Sequence, residues 1–168
     1  MSDRWPEFLA TLADPEQPRA IFAALERITV ETVGTMLFTA MTFDMTRMRG
    51  LRIYSGNEVA YPSGGWKDVT PGIWVETVLM GKRPFAALSI DEIAVVFPDF
   101  ELIRSLGCES AMNLPVVVAG KVIGTLNLLH EKGYYTPDRV AAAAAGLLPF
   151  ATIAFLTASE MRSRSAAV

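Results

Sequence analysis

Two residue types that carry much of protein chemistry are almost absent from this chain. Its 168 residues include one cysteine, Cys108, and one histidine, His130. A single cysteine forms no internal disulfide and no thiolate-only metal site, which makes a reducing cytoplasm the expected compartment. A single histidine excludes metal centres that gather two or three imidazoles, so no metal site is expected. An excess of basic charge is missing as well: 15 Lys and Arg stand against 18 Asp and Glu, a formal net charge of -3. Binding a phosphate backbone needs a basic face, and Arg162 and Arg164 read as part of a solvated tail, so nucleic acid is not an expected partner. The start, Met1-Ser2-Asp3-Arg4-Trp5-Pro6, lacks an apolar run and does not read as a signal peptide.

Val140 to Ser159 carries no charge over a length that could span a bilayer. Its composition argues otherwise. Ala141–Ala145 add little apolar driving force, Gly146 and Pro149 interrupt the middle, and Thr152 and Thr157 add polarity. The expectation is a buried or dimer-packing helix, with no membrane partner.

What is present is a globular composition: 51% hydrophobic, 10% aromatic and eight methionines, suited to a soft, aromatic-rich interior or pocket. The length fits one domain that buries roughly 70% of its unfolded surface. Periodicity and caps divide the chain into elements. Residues 1–13 read as a short helix, and Asp14-Pro15 as the start of a helix from about Glu16 to Val30, with Ile21, Phe22, Leu25 and Ile28 on one face. Alternation from Met36 to Met41 predicts a strand. Leu51 and Ile53 alternating with Arg52 and Tyr54 predict a second, and Glu58–Tyr61 a short third after the turn Ser55-Gly56-Asn57. Pro62-Ser63-Gly64-Gly65 opens a loop, Thr70-Pro71 caps a helix ending near Gly81, and Pro84–Leu88 is extended. Ser89 and Glu92 form a capping box, and Pro98-Asp99 starts another short helix that stops at Gly107. Two longer strands, Ser110–Val118 and Val122–Glu131, are joined by Ala119-Gly120-Lys121, and Thr136-Pro137 caps the last helix. Hairpin connections this short force antiparallel pairing. The result is an α+β domain: a central antiparallel sheet, terminal helices on one face, and short inserted helices and loops on the other.

The run Asn113-Leu114-Pro115-Val116-Val117-Val118-Ala119-Gly120-Lys121-Val122-Ile123-Gly124-Thr125-Leu126-Asn127-Leu128-Leu129 resembles the last two strands of GAF domains. Thr136-Pro137-Asp138-Arg139-Val140 is similar to that family's lead-in to its C-terminal helix. The resemblance implies a GAF/PAS-like domain over 19–160, with a helical extension at 1–18 and a flexible tail at 161–168. It implies a cytoplasmic sensor or regulatory module whose small-molecule pocket lies between the sheet and the 61–97 region. It names no occupant, so ligand and cofactor stay open. The motifs of cyclic-nucleotide-binding and bilin-binding members are missing.

Within this frame the candidate ligand contacts fall into three groups. Tyr54, Tyr61, Trp66, Trp74 and Phe97 supply large side chains with apolar bodies, and for each a core role competes with a pocket role. Asn113 and Asn127 are polar in otherwise apolar strands, and their partners are either protein or ligand. Cys108 is a weak catalytic candidate, because some GAF proteins reduce free methionine sulfoxide with a cysteine ahead of the same strand. That chemistry normally calls for a resolving cysteine, which this chain lacks. A Cys108-dependent redox enzyme or thiol sensor is therefore the alternative to the sensor reading. His130 reads as a strand-end residue, with haem ligation as its rival reading. Apolar residues on two sides of the last helix, Leu147, Ala151 and Phe155 against Phe150, Ile153 and Thr157, predict a homodimer through terminal helices, with output to a protein effector.

Overall fold

The computed structural model describes residues 3–168. Its elements are α1 (Trp5–Ala10), α2 (Arg19–Thr32), β1 (Leu37–Asp44), β2 (Arg49–Ser55), β3 (Trp66–Asp68), β4 (Phe85–Ala87), α3 (Ile90–Val96), α4 (Phe100–Ser105), β5 (Ser110–Val118), β6 (Lys121–His130) and α5 (Pro137–Ala166). A 3-10 turn, Thr11–Ala13, follows α1, and a π-helical turn, Val75–Met80, precedes β4. The six strands form one antiparallel sheet in the order β3-β2-β1-β6-β5-β4.

The local signals act as the sequence predicts where side chains satisfy backbone groups. Ala119 and Gly120 both take positive φ, 49° and 75°, which gives the two-residue turn that matches strand twist and joins β5 to β6. Ser89 Oγ accepts the Glu92 N–H at 3.3 Å, while the Glu92 carboxylate accepts the Leu88 N–H at 2.7 Å, so α3 starts on reciprocal caps. Thr136 Oγ1 accepts the Arg139 N–H at 3.4 Å and starts α5.

Period-2 alternation sends the sheet's two faces to different partners. Phe38, Ala40, Leu114, Leu126 and Leu128 meet Ile21, Phe22 and Leu25 of α2 and Leu147, Ala151 and Phe155 of α5. Each such aliphatic or aromatic side chain contributes roughly 1.5–3 kcal/mol when fully buried. The 1–18 segment joins this core: Trp5 stacks on Phe150 with ring centroids 4.0 Å apart, and Phe8 meets the same ring edge-on at 4.9 Å. On the opposite face, Leu37, Ala111 and Leu129 pack under α3 and α4 with Ile90, Ile93 and Ile103. Terminal helices thus cover one face and the inserted helices the other.

Four local expectations need correction. Helix α2 begins at Arg19 rather than Glu16, because Pro18 pushes the residue before it out of the helical region. Asp14 instead caps a local turn by accepting the Glu16 N–H at 2.8 Å. Glu58–Tyr61 is a turn, closed by Asn57, whose Oδ1 accepts the Ala60 N–H at 3.0 Å and whose carbonyl accepts the Tyr61 N–H. The third strand lies further on, where Trp66 pairs with Leu51. The segment after Thr70-Pro71 winds as a π-turn, with the Gly81 N–H reaching back five residues to the Glu76 carbonyl. The last helix runs through Ala166, so most of 161–168 is helical rather than a tail.

Register against β1 breaks between Ala40 and Met41, which pair with Tyr54 and Arg52 and leave Ile53 as an extra residue. This bulge puts Tyr54 on the helix-covered face, against Phe22 and Phe38, while Arg52 stays on the other. Strict alternation would place both on one face.

Gly124 shows how closely α5 seats on the sheet. A Cβ there would drive into the Phe155 ring, which is buried and cannot swing out. Gly124→Ala should therefore lower stability by about 1–3 kcal/mol, the usual cost of overpacking. Urea unfolding checks this: the midpoint falls, and adding Phe155→Leu recovers part of the loss. An unchanged midpoint for Gly124→Ala contradicts the seating.

Candidate functional site

A polar row crosses the middle of the face under the inserted helices. Pairing places Asn113 of β5 opposite Asn127 of β6, and Asn127 opposite Thr39 of β1. Asn113 and Thr39 are buried, at 6% and 4% exposure, so their polar atoms need partners. Trp74, just ahead of the π-turn, supplies the first: its indole Nε1–H donates to Asn113 Oδ1 at 3.0 Å. Asn113 Nδ2 then donates to Asn127 Oδ1 at 2.8 Å, and Thr125 Oγ1 donates to the same oxygen at 3.0 Å. Asn127 Nδ2 donates to Thr39 Oγ1 at 3.3 Å. An indole can only donate, so it fixes the orientation of both amides in turn.

Above this row lies a cavity of about 350 Å³, within the size range of small-molecule sites. The row forms part of its wall with Met41, Trp74 and Phe97, and Leu37, Ala111 and Leu129 extend its apolar floor. Arg52 and Asp99 also line it. The Arg52 guanidinium lies 4.9 Å from the centre of the Tyr61 ring and donates to the Pro62 carbonyl at 3.1 Å. Tyr61 in turn donates its hydroxyl to Asp99 Oδ2 at 2.5 Å. Burial, with the Asp99 carboxylate beside it, holds the Tyr61 hydroxyl protonated well above the usual phenol range. Burial also pulls the Arg52 guanidinium down from its ordinary value.

The predicted site residues divide accordingly. Tyr61, Trp74, Phe97, Asn113 and Asn127 come together around the cavity. Tyr54 does not: the bulge turns it to the other face, where its hydroxyl donates to Glu26 Oε2 at 2.5 Å. Trp66 sits on the edge strand, 42% exposed, under the Arg49 guanidinium at 4.6 Å and away from the cavity wall. Cys108 is 1% exposed among Leu37, Ile93, Ile103 and Leu129, behind the cavity rather than lining it. Burial pushes its thiol up, whereas nucleophilic cysteines sit in electropositive, accessible surroundings. His130 stacks on Tyr134 at 3.4 Å between ring centroids, and its Nδ1 accepts the Glu131 N–H at 2.8 Å. Among the described residues no three His, Cys, Asp or Glu side chains gather as a metal site. Sequence reasoning missed Arg52, Asp99, Thr39 and Met41. Thr39 carried the same signal as the asparagines, a polar residue in an apolar strand.

The arrangement of sheet, terminal helices and inserted helices has counterparts among solved structures. A GAF domain/HD domain protein from Geobacter sulfurreducens matches with a TM-score of 0.66 at 15% identity, covering 87% of this chain and 94% of that one. The GAF domain of a two-component sensor histidine kinase from Bacillus halodurans matches at 0.66 and 9% identity, covering 83% and 94%. This chain has the GAF fold. A free methionine-R-sulfoxide reductase from Neisseria meningitidis, solved with its substrate, is also similar, at a TM-score of 0.64 and 15% identity over 93% and 88% of the two chains. No protein-family model and no curated protein matches the sequence.

In this GAF fold the Trp74 bond holds the amide row in one orientation. Trp74→Phe removes the donor and leaves Asn113 Oδ1 unpaired, which should cost about 1–3 kcal/mol. Replacing Asn113 by Leu in the same background should restore part of it. Equilibrium unfolding of the single and double variants decides; additive losses contradict the row.

Proposed function

We propose that this chain is a sensor or regulatory module that binds a small organic molecule in the cavity between the sheet and the inserted segment. The observation that carries the reading is the cavity itself. Aromatic and aliphatic walls surround a few fixed polar groups, the usual make-up of a small-molecule site. The solved neighbours fit this use, since one belongs to a sensor histidine kinase. The similar reductase holds its substrate in a structure of the same fold. Cys108 here lacks the exposure and charged surroundings that such redox chemistry requires, which favours binding over turnover.

Ligand binding would act by favouring one packing of the inserted segment over another. Trp74 and Phe97 link the cavity to the π-turn and to the end of α3, so a bound molecule bears on both. The signal leaves through a protein effector or through a second copy of the chain. Helix α5 supports the second route. Only about a third of its most apolar stretch is buried, and Leu156 lies exposed near Leu12 on the same surface. A homodimer through the terminal helices would cover that surface, and no bilayer is needed to do so. The free, unpaired thiol of Cys108 agrees with a cytoplasmic location.

Native mass spectrometry of the gently purified chain tests both parts together. The expected spectrum shows twice the mass of one chain, carrying a small molecule that is lost on collisional activation. A bare monomer, together with no thermal shift from any compound in a metabolite library, overturns the proposal.

A further inference from the structure

The hydrogen-bond capacity left over in the cavity defines the class of molecule it takes, on the reading above that a small molecule binds there. Asn113 commits its oxygen to Trp74 and one N–H to Asn127. Asn127 Oδ1 receives two donors, from Asn113 and Thr125, and one of its N–H groups goes to Thr39. What remains uncommitted is one N–H on each amide and the hydroxyl hydrogen of Thr39. Arg52 adds a buried Nε–H that has no partner. The uncommitted groups are thus mainly donors, and a set of donors on one wall calls for an acceptor such as a carboxylate.

Charge narrows the class further. Arg52 is the cation of the cavity wall, and Asp68 and Asp99 are its two acids. A plain anion would add negative charge beside two carboxylates, which costs energy in a half-enclosed space. A molecule that brings its own cation does not meet this penalty. Most of the remaining wall, including Met41, Phe43, Trp74 and Phe97, offers apolar surface and soft sulfur contacts. We propose that the cavity binds an α-amino acid with an apolar side chain. Its carboxylate meets the Asn113–Asn127–Thr39 row and Arg52, and its ammonium faces Asp99 and Asp68. Asp99 accepts from Tyr61 through one oxygen, which leaves the other for the ammonium.

Titration calorimetry with two matched series tests this. One series is L-phenylalanine, 3-phenylpropanoate and 2-phenylethylamine; the other is L-leucine, 4-methylpentanoate and 3-methylbutylamine. At least one amino acid should bind saturably, with its two singly charged counterparts weaker by about tenfold or more, since each loses a charge-assisted contact. Thr39→Val, which keeps the strand's shape and removes the hydroxyl that donates into the cavity and accepts from Asn127, should weaken the amino acid while leaving the melting curve cooperative. Arg52→Gln should do the same and serves if Thr39→Val does not fold. An acid that binds as well as its amino acid overturns the proposal. So does failure of both amino acids while another library compound binds, an outcome that leaves the sensor reading standing. If nothing binds at all, both fall.

Discussion

Two asparagines in the middle of an apolar sheet face are tolerable only if their amides are hydrogen-bonded, and the Trp74 indole is what orders them. Removing a buried amide from water without a partner costs about 1–3 kcal/mol, so the row must be satisfied as a whole. Because Trp74 only donates, Asn113 must accept from it, Asn127 must accept from Asn113, and Thr39 must accept from Asn127. Two consequences follow from one bond. The π-turn that begins after Trp74 is anchored to the sheet, and the hydrogens left free in the row belong to a cavity wall.

The rest of the architecture keeps that wall in place. The row needs β1, β6 and β5 side by side in a fixed register, and between β5 and β6 the two-residue turn at Ala119-Gly120 and the bulge that leaves Ile123 unpaired set it together. The opposite face supplies the stability. Phe22, Phe155 and Leu126 pack there, and Gly124 lets Phe155 approach where any side chain would hold it off. The bulge at Ile53 then distributes β2 between the two faces. It sends Tyr54 to the helices and leaves Arg52 with the cavity. The cavity and the larger apolar core therefore lie on opposite sides of the sheet, with β2 contributing to both.

Much of this was legible where a residue acts through its own backbone or its nearest neighbours. Ser89, Thr136 and Ala119-Gly120 announced helix starts and a hairpin because caps and turns are local chemistry. Asn113 and Asn127 announced a polar site because they break an apolar pattern. Arg52 and Tyr54 were misread because a bulge depends on the partner strand, which alternation along one strand cannot reveal. Trp66 was misplaced for a related reason: its edge strand is defined by pairing with Leu51 rather than by any pattern of its own. Asp99 looked like a helix cap, and only the fold brings the Tyr61 hydroxyl to it across 38 positions of chain. Cys108 was a weak catalytic candidate by resemblance alone; its burial, which sets its chemistry, is a tertiary property.

The polar row lies on the sheet, and the inserted segment with Trp74 and Phe97 lies above it. The Trp74 indole orders this row within the chain itself. Hydrogen exchange at the three indole N–H groups, followed by NMR in the unliganded chain, tests it most directly. The Trp74 indole should exchange far more slowly than that of Trp66, which sits exposed on the edge strand. Equal, fast exchange at the two positions would mean that the row is not held and that the account is wrong.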